Sequence, residues 1–296
     1  MSEMLKIALP NKGRLSQKIY ELLNSAGLNL DSKDERCLKL ETKDKKFQLI
    51  FVRAADIPNF LDSKVADIGF TGKDIIVEKE VELDIVKEFS FGKCDMVVAV
   101  PEEMEIEDVS QLPNNLRIAT SFPNIAKKYF QKLGKNAKVS EIMGAVEITP
   151  SLGFCDCVID ITSTGTTLKS NRLKIIDKIL SSSTVLCARK DLEPEKQLKL
   201  RSLIRAIDSV LDAKNKKYLM VHIPKEKIED VKTFLPGLSS PTVIPMHNDD
   251  TKVVIHVTVD EDKIYDAIDN LKSIGGEGIL ILSVDQMVKW WIILKN

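Results

Sequence analysis

The chain has 296 residues, with 43 lysines and arginines against 44 aspartates and glutamates, a formal net charge of -1. That balance excludes a global field that would recruit nucleic acid or an anionic membrane, so an anionic ligand has to be held by a local site. The length suits two or three domains, and five cysteines without a C-x-x-C pair argue against a disulfide framework or a zinc centre.

The N-terminal stretch MSEMLKIALPNKGRL lacks the basic segment, apolar core and cleavage site of a secretory signal. No apolar run approaches bilayer length, so a cytoplasmic protein without a membrane partner is expected. KIALP reads as the first strand, and a helix follows over RLSQKIYELLNSAG, with Leu15, Ile19, Leu22, Leu23 and Ala26 at helical spacing and Gly27 as its cap. FQLIFVR, DMVVAV, LRIAT, CVID and TVLCA are further strands, apolar on both faces, which predicts α/β sheets covered by helices. Gly92 and the new strand DMVVAV mark a crossing into a second lobe over 92–182. The strand near 183–190 returns to the first lobe, 1–91 and 183–213, which leaves a cleft between the two. Cys155 and Cys157, two apart in an apolar run, are expected to share one face as small hydrophobes.

Residues 194–213 repeat apolar positions at three and four, with Pro194 in the first turn, and predict one helix. From 214 to 296 the order changes to strand YLMVHI, helix EKIEDVKTFL, strands PTVIPM and KVVIHVTV, helix KIYDAIDNLKSI and strand GILILS. That βαββαβ order is ferredoxin-like, with one sheet face free for pairing.

Chemistry concentrates in VIDITSTGTTL, 158–168. A strand ends at Asp160 and a loop of Thr162, Ser163, Thr164, Gly165, Thr166 and Thr167 enters a helix at Leu168. Unpaired amides at a helix start, small hydroxyls and a glycine make a phosphate cradle. A carboxylate at its edge accepts hydrogen bonds from sugar hydroxyls, so the pattern points to a ribose 5-phosphate. A plain helix cap would need only one such hydroxyl. LPNKGRL delivers Lys12, Gly13 and Arg14 to the C-terminal edge of the first strand, where two cations suit polyphosphate oxygens. In ADIGFTGKD, Gly69, Thr71 and Gly72 let an anion or a base lie against backbone, or form a tight turn, and Asp74 is placed to cap the next helix. Arg53 closes its strand as a phosphate or adenine contact, or as an ion pair with Asp56. All three histidines lie beyond 214, which removes a Ser-His-Asp triad or a multi-histidine metal site from the first 190 residues.

The string CDCVIDITSTGTTLKSNRLK resembles the phosphoribosyl-diphosphate motif of phosphoribosyltransferases, with Ile161 where the commoner type has a second acid. Together with LPNKGRL, ADIGFTGKDII and GAVEITP it resembles the ATP phosphoribosyltransferases that open histidine biosynthesis. The C-terminal LPGLSSPTVIP and LKSIGGEGILIL are similar to the regulatory domain of the long form. The resemblance implies a periplasmic-binding-protein-like two-lobed catalytic part plus a ferredoxin-like regulatory domain. It implies transfer of 5-phosphoribosyl from phosphoribosyl diphosphate to N1 of ATP, with Mg2+ held through diphosphate oxygens. Asp160, Lys12 and Arg14 would carry the chemistry and 162–167 would bind the donor. Lys12, Gly13, Arg14, Arg53, Gly69, Thr71, Gly72 and Glu147 would bind ATP, Glu147 alternatively serving as a helix-start carboxylate. Histidine as feedback inhibitor would sit among His222, Leu238, Thr242, Val257 and Gly278 of neighbouring subunits, in a homo-oligomer built from dimers to hexamers. No general base is assigned. Two other readings stay open: a phosphoribosyltransferase for another base, and a two-lobed small-molecule binding protein.

Overall fold

The computed structural model describes residues 3–30, 37–235 and 240–288. The chain opens with β1 (Leu5–Pro10), α1 (Arg14–Ser25), β2 (Lys39–Glu41), β3 (Phe47–Val52), α2 (Ile57–Asp62), β4 (Ile68–Gly72), α3 (Lys73–Lys79) and β5 (Leu83–Glu88). It continues through β6 (Cys94–Pro101), β7 (Leu116–Thr120), α4 (Pro123–Lys132), β8 (Ala137–Glu141), β9 (Cys157–Thr162), α5 (Thr166–Ser170) and β10 (Leu173–Ser182). Then come β11 (Thr184–Arg189), α6 (Pro194–Ala213), β12 (Lys216–Pro224), α7 (Ile228–Phe234), β13 (Thr242–Met246), β14 (Asp249–Asp260), α8 (Ile264–Ser273) and β15 (Glu277–Ser283). Among the described residues no helix is long and apolar enough to cross a membrane.

The strands form three sheets. The first, in order β2-β3-β1-β4-β11-β5, has a parallel centre because β1 pairs with both β3 and β4 in parallel. The second, β10-β6-β9-β7-β8, carries β9 between antiparallel β6 and parallel β7. We call the bodies around these sheets lobe I and lobe II. The chain crosses once after β5 and returns between β10 and β11. At the first crossover Gly92 has φ +71°, and a Cβ there would lie 2.3 Å from Thr184 Oγ1 and 2.6 Å from Leu15 Cδ2, so the close approach requires glycine.

Lobe II has a core on each face of its sheet. Met96, Val98, Ile118, Phe130, Cys157 and Ile159 fill one, with Ile161 packed against it, and Val97, Val146, Cys155, Val158 and Leu168 fill the other. The two cysteines therefore do not share a face. Strand β9 begins only at Cys157, while Cys155 lies before it with its sulfur 3.1 Å from Thr149 Oγ1. Burial raises both thiols above the usual range.

The third sheet, β13-β14-β12-β15, is antiparallel throughout, and with α7 and α8 it completes the βαββαβ order. Leu219, Val221, Ile255, Val257, Val231 and Leu271 form its core with the helices. By compact packing, one unit comprises Met1–Glu21 and Leu30–Arg201 and the other Leu22–Asn29 and the chain from Ser202 onward, so the second half of α6 goes with the C-terminal sheet. There Met287 N–H donates to the Ser209 carbonyl at 2.8 Å.

Candidate active site

Alternation along β9 sets the phosphate-loop geometry. Ile159 and Ile161 point to one core and Val158 to the other, so Asp160 continues the Val158 face at the end of the strand. Ile161 occupies a position that faces the apolar core, which is why an acid is absent there. After Thr162 the chain turns. Gly165, at φ +75°, donates its N–H to Thr162 Oγ1 at 2.8 Å, and Thr164 Oγ1 lies 2.9 Å from Thr166 Oγ1. Among the described residues the amides of Thr164, Thr166 and Thr167 have no protein acceptor, and the hydroxyls of Thr164, Thr166 and Thr167 sit on exposed residues. Leu168 anchors the turn in the same core as Val146 and Val158.

Val146 also positions Glu147. The one-turn helix Val146–Ile148 starts from Ala145, held at φ +45°, and leaves Glu147 half-buried near Asp160. Burial pushes the Asp160 carboxyl up to about 6, the Ile161 N–H donating to Oδ1 at 2.8 Å opposes that rise, and the Glu147 charge adds to it.

In lobe I the C-terminal ends of β1 and β3 lie side by side, Pro10 opposite Val52, with the Asn11 N–H donating to the Val52 carbonyl at 2.7 Å. This brings the turn of Lys12 and Gly13 next to Arg53. Lys12 and Arg53 are exposed, and no ion pair joins Arg53 to Asp56. The side chain of Arg14 lies outside the described residues. Tyr20 Oη fixes the start of the turn by donating to the Pro10 carbonyl at 2.5 Å.

Both loops meet at one crossover. Leu15, the second residue of α1, packs on Gly92, and Ser163 Oγ donates to the Lys93 carbonyl at 3.2 Å. The basic turn of lobe I and the hydroxyl turn of lobe II thus flank the same five-residue hinge.

Gly69, Thr71 and Gly72, expected to lie open to a ligand, are instead taken up in packing within lobe I. All three are buried in β4. A Cβ on Gly69 would come within 2.5 Å of Ile57 Cγ2, so that glycine admits α2 against the sheet. Thr71 Oγ1 donates to the Ala54 carbonyl at 2.9 Å, and a Cβ on Gly72 would strike Asp74 Oδ1 at 2.3 Å. Asp74 does not cap α3 either; its carboxylate accepts from Ser182 Oγ at 2.5 Å. Gly69→Ala is accordingly expected to destabilise the protein by about 1–3 kcal/mol through overpacking. Chemical denaturation checks this, and an unchanged midpoint would return Gly69 to the list of ligand contacts.

Reading the sequence alone passed over Asn11. Its Oδ1 is buried without a partner, as is Thr184 Oγ1, and strand register puts both on a level with Gly72 at the sheet edge beside the hinge. A polar residue directly after the first strand was the available signal.

In the C-terminal domain, Gly278 sits against His222, where a Cβ would lie 3.3 Å from Nδ1. Thr242, on the outer strand β13, pairs with His256 and is level with Met220, so it stands two strand spacings across and two residues along from His222, about 12 Å in all. Val257 is a correction: its side chain is in the core under the helices, on the opposite face from these residues. Leu238 lies outside the described residues.

A transferase that moves a phosphorylated pentose must grip a phosphate, hold sugar hydroxyls and screen a polyphosphate across a cleft that shuts out water. Fold and site together define a phosphoribosyltransferase on two hinged lobes. The sequence model described as ATP phosphoribosyltransferase matches residues 53–209, and that of the HisG C-terminal domain matches 213–286. The ATP phosphoribosyltransferase of Methanocaldococcus jannaschii is 42% identical over 289 residues, covering 96% of this chain and 100% of its own length. That of Methanocella arvoryzae is 40% identical, covering 97% and 100%. The solved ATP phosphoribosyl transferase (HisG:HisZ) complex from Thermotoga maritima contains a chain 34% identical, with TM-score 0.61, covering 69% of this chain and 99% of that one. The chain belongs to the ATP phosphoribosyltransferase family, the enzymes of the first step of histidine biosynthesis.

Proposed function

We propose that the chain transfers the 5-phosphoribosyl group of phosphoribosyl diphosphate to N1 of the adenine of ATP. The observation that carries this reading is the approach of Leu15, two residues after the Lys12–Gly13 turn, and of Ser163, which opens the hydroxyl turn, to the Gly92–Lys93 crossover. The free amides and exposed hydroxyls of Thr164, Thr166 and Thr167 take the 5-phosphate, and Asp160 accepts from ribose hydroxyls. Lys12, with Arg14 on the same turn, balances polyphosphate charge, and Arg53 and Glu147 orient the nucleotide.

The anomeric C–O bond breaks with its electron pair leaving on diphosphate, and the N1 lone pair forms the new C–N bond. Positive charge develops on the sugar meanwhile, so no protein nucleophile is needed and rate comes from alignment and electrostatics. Among the described residues no three His, Cys, Asp or Glu side chains form a metal cage. The donors at the site, two carboxylates and several hydroxyls, fit Mg2+ carried by substrate phosphate oxygens, where it would neutralise the departing diphosphate.

The C-terminal domain binds histidine as inhibitor near His222 and Gly278, with Thr242 supplied from the same sheet or a neighbouring copy. Its open face, where Tyr218, Ile244, Leu280 and Leu282 are exposed, supports assembly into dimers and hexamers. The purified chain incubated with phosphoribosyl diphosphate, Mg2+ and ATP is expected to form a near-ultraviolet-absorbing product, and added histidine to suppress it. Turnover of a free base instead, or binding without turnover, overturns the reading.

A further inference from the structure

Both lobes belong to one compact unit, and away from the substrate loops two carboxylates of lobe I reach α4: the exposed Glu80 pairs with Lys128 at 2.7 Å, and Glu78 makes the buried contact. Helix α4 of lobe II has no side-chain cap of its own: its N-cap is Phe122 and its first residue is Pro123, which has no N–H. The next two amides leave the lobe for their acceptors. Asn124 N–H donates to Glu78 Oε1 and Ile125 N–H to Glu78 Oε2, each at 3.0 Å, while the Asn124 side-chain amide donates to the Glu78 carbonyl at 2.9 Å. Ala126 N–H already serves the Phe122 carbonyl at 3.0 Å, so Glu78 completes the helix start. Glu78 comes from α3 of lobe I and is buried. A buried carboxylate chelating two amides at the positive end of a ten-residue helix is a strong, weakly screened contact.

Its position relates it to the chemistry. Strand β7, which leads into α4, runs parallel to β9, with Thr120 opposite Ile159, so α4 starts one strand spacing from the Asp160 end of β9. On the other side, α3 starts directly after β4, whose N–H and C=O groups pair with the hinge strand β11, and Asp74 in its first turn binds Ser182 at the return crossover. Beside the covalent crossovers into β6 and β10, a second path from the hinge to the phosphate-loop sheet therefore runs through α3, Glu78 and α4.

We infer that Glu78 is a positioning residue, a latch that sets the angle between the lobes and hence the alignment of the pentose in lobe II with the nucleotide on lobe I. This rests on the proposed reaction. Each lobe's own substrate contacts survive loss of the latch, so binding and turnover separate. In Glu78→Gln, an amide group replaces one carboxylate oxygen and faces a backbone N–H. The dissociation constant for phosphoribosyl diphosphate, measured by calorimetry, is expected to stay within about threefold, while kcat falls about 30- to 100-fold, as sub-ångström misalignment does.

Hydrogen–deuterium exchange on the full chain supplies the structural readout: amides of the Asn124–Ile125 segment lose protection while those of β9 keep it. Asn124→Ala, which leaves both amide contacts in place and removes only the side-chain bond, is expected to fold even if Glu78→Gln does not, with kcat about threefold lower. Unchanged protection at Asn124 and Ile125, or unchanged kcat in the folded variants, overturns the latch. An inactive wild-type chain would instead overturn the proposed reaction, and the exchange measurement would still decide whether Glu78 holds α4.

Discussion

Asp160→Asn is expected to lower phosphoribosyl transfer at least about a hundredfold and, at pH 8, to raise the thermal transition of the ligand-free protein by about 5 °C. The two effects have one cause. The folded chain holds the Asp160 carboxyl near 6, chiefly by burial, above the ordinary value of 3.8. A carboxylate raised on folding opposes folding when ionised: the penalty is absent below the unfolded value, grows between about pH 4 and 6, and is complete above that. About two pKa units correspond to about 3 kcal/mol as an upper bound. Asparagine keeps an acceptor for the Ile161 N–H and removes the charge, so the stability gap over wild type should shrink to about half near pH 5 and close below about pH 4. The same ionisation is expected to govern wild-type activity. On the proposed reading the ionised carboxylate, above pH 6, accepts from two ribose hydroxyls, and below it kcat/KM is expected to fall toward tenfold per pH unit. Wild-type turnover in the variant would remove Asp160 from the donor site. A stability gap that does not depend on pH would mean that burial of the charge is not what the substitution relieves.

What the sequence displayed and what it hid follow from locality. The run CVID followed by hydroxyls, the 194–213 helix and the βαββαβ order are local patterns, and the folded chain carries each within three residues of its expected ends. Strand β10 was not legible: register shifts at Ile175/Asp177 and Lys178/Leu180 break the alternation a strand is read by. Gly69, Thr71 and Gly72 looked like a ligand loop because glycine signals both close ligand approach and close packing. Only the position of Ile57, twelve residues earlier in the chain, decides between them. Val257 was misassigned because its strand has two faces and similarity of position does not say which face a ligand meets. Glu78 gave no local signal at all, since its partners lie 46 and 47 residues away in the other lobe.

The largest loss of stability is expected from Asp67→Ala, by the same non-local logic. The Asp67 side chain is only 2% exposed and accepts three hydrogen bonds, Oδ2 from Lys6 N–H at 2.9 Å and Oδ1 from Arg189 Nε and Lys196 Nζ, each at 3.1 Å, while Arg189 Nη2 adds an ion-pair contact to Oδ1 at 3.1 Å. Arg189 and Lys196 are 9% and 5% exposed. Their remaining partners, Asp191, Glu193 and Glu3, are all more than half exposed and so weaker. Lys196 also sits in the first turn of α6, where the helix dipole disfavours a cation and Asp67 offsets it. Removing the carboxylate leaves two buried cations and one strand amide without their acceptor, which costs about 3–5 kcal/mol and lowers the transition by about 10 °C. Adding Lys196→Met removes one orphaned charge, so the double variant should lose at least about 1 kcal/mol less than the sum of the single losses. Denaturant midpoints of the four proteins check this: strict additivity, or a transition for Asp67→Ala within 2–3 °C of wild type, would mean that water reaches the cluster and that the fold does not depend on pairing its charges.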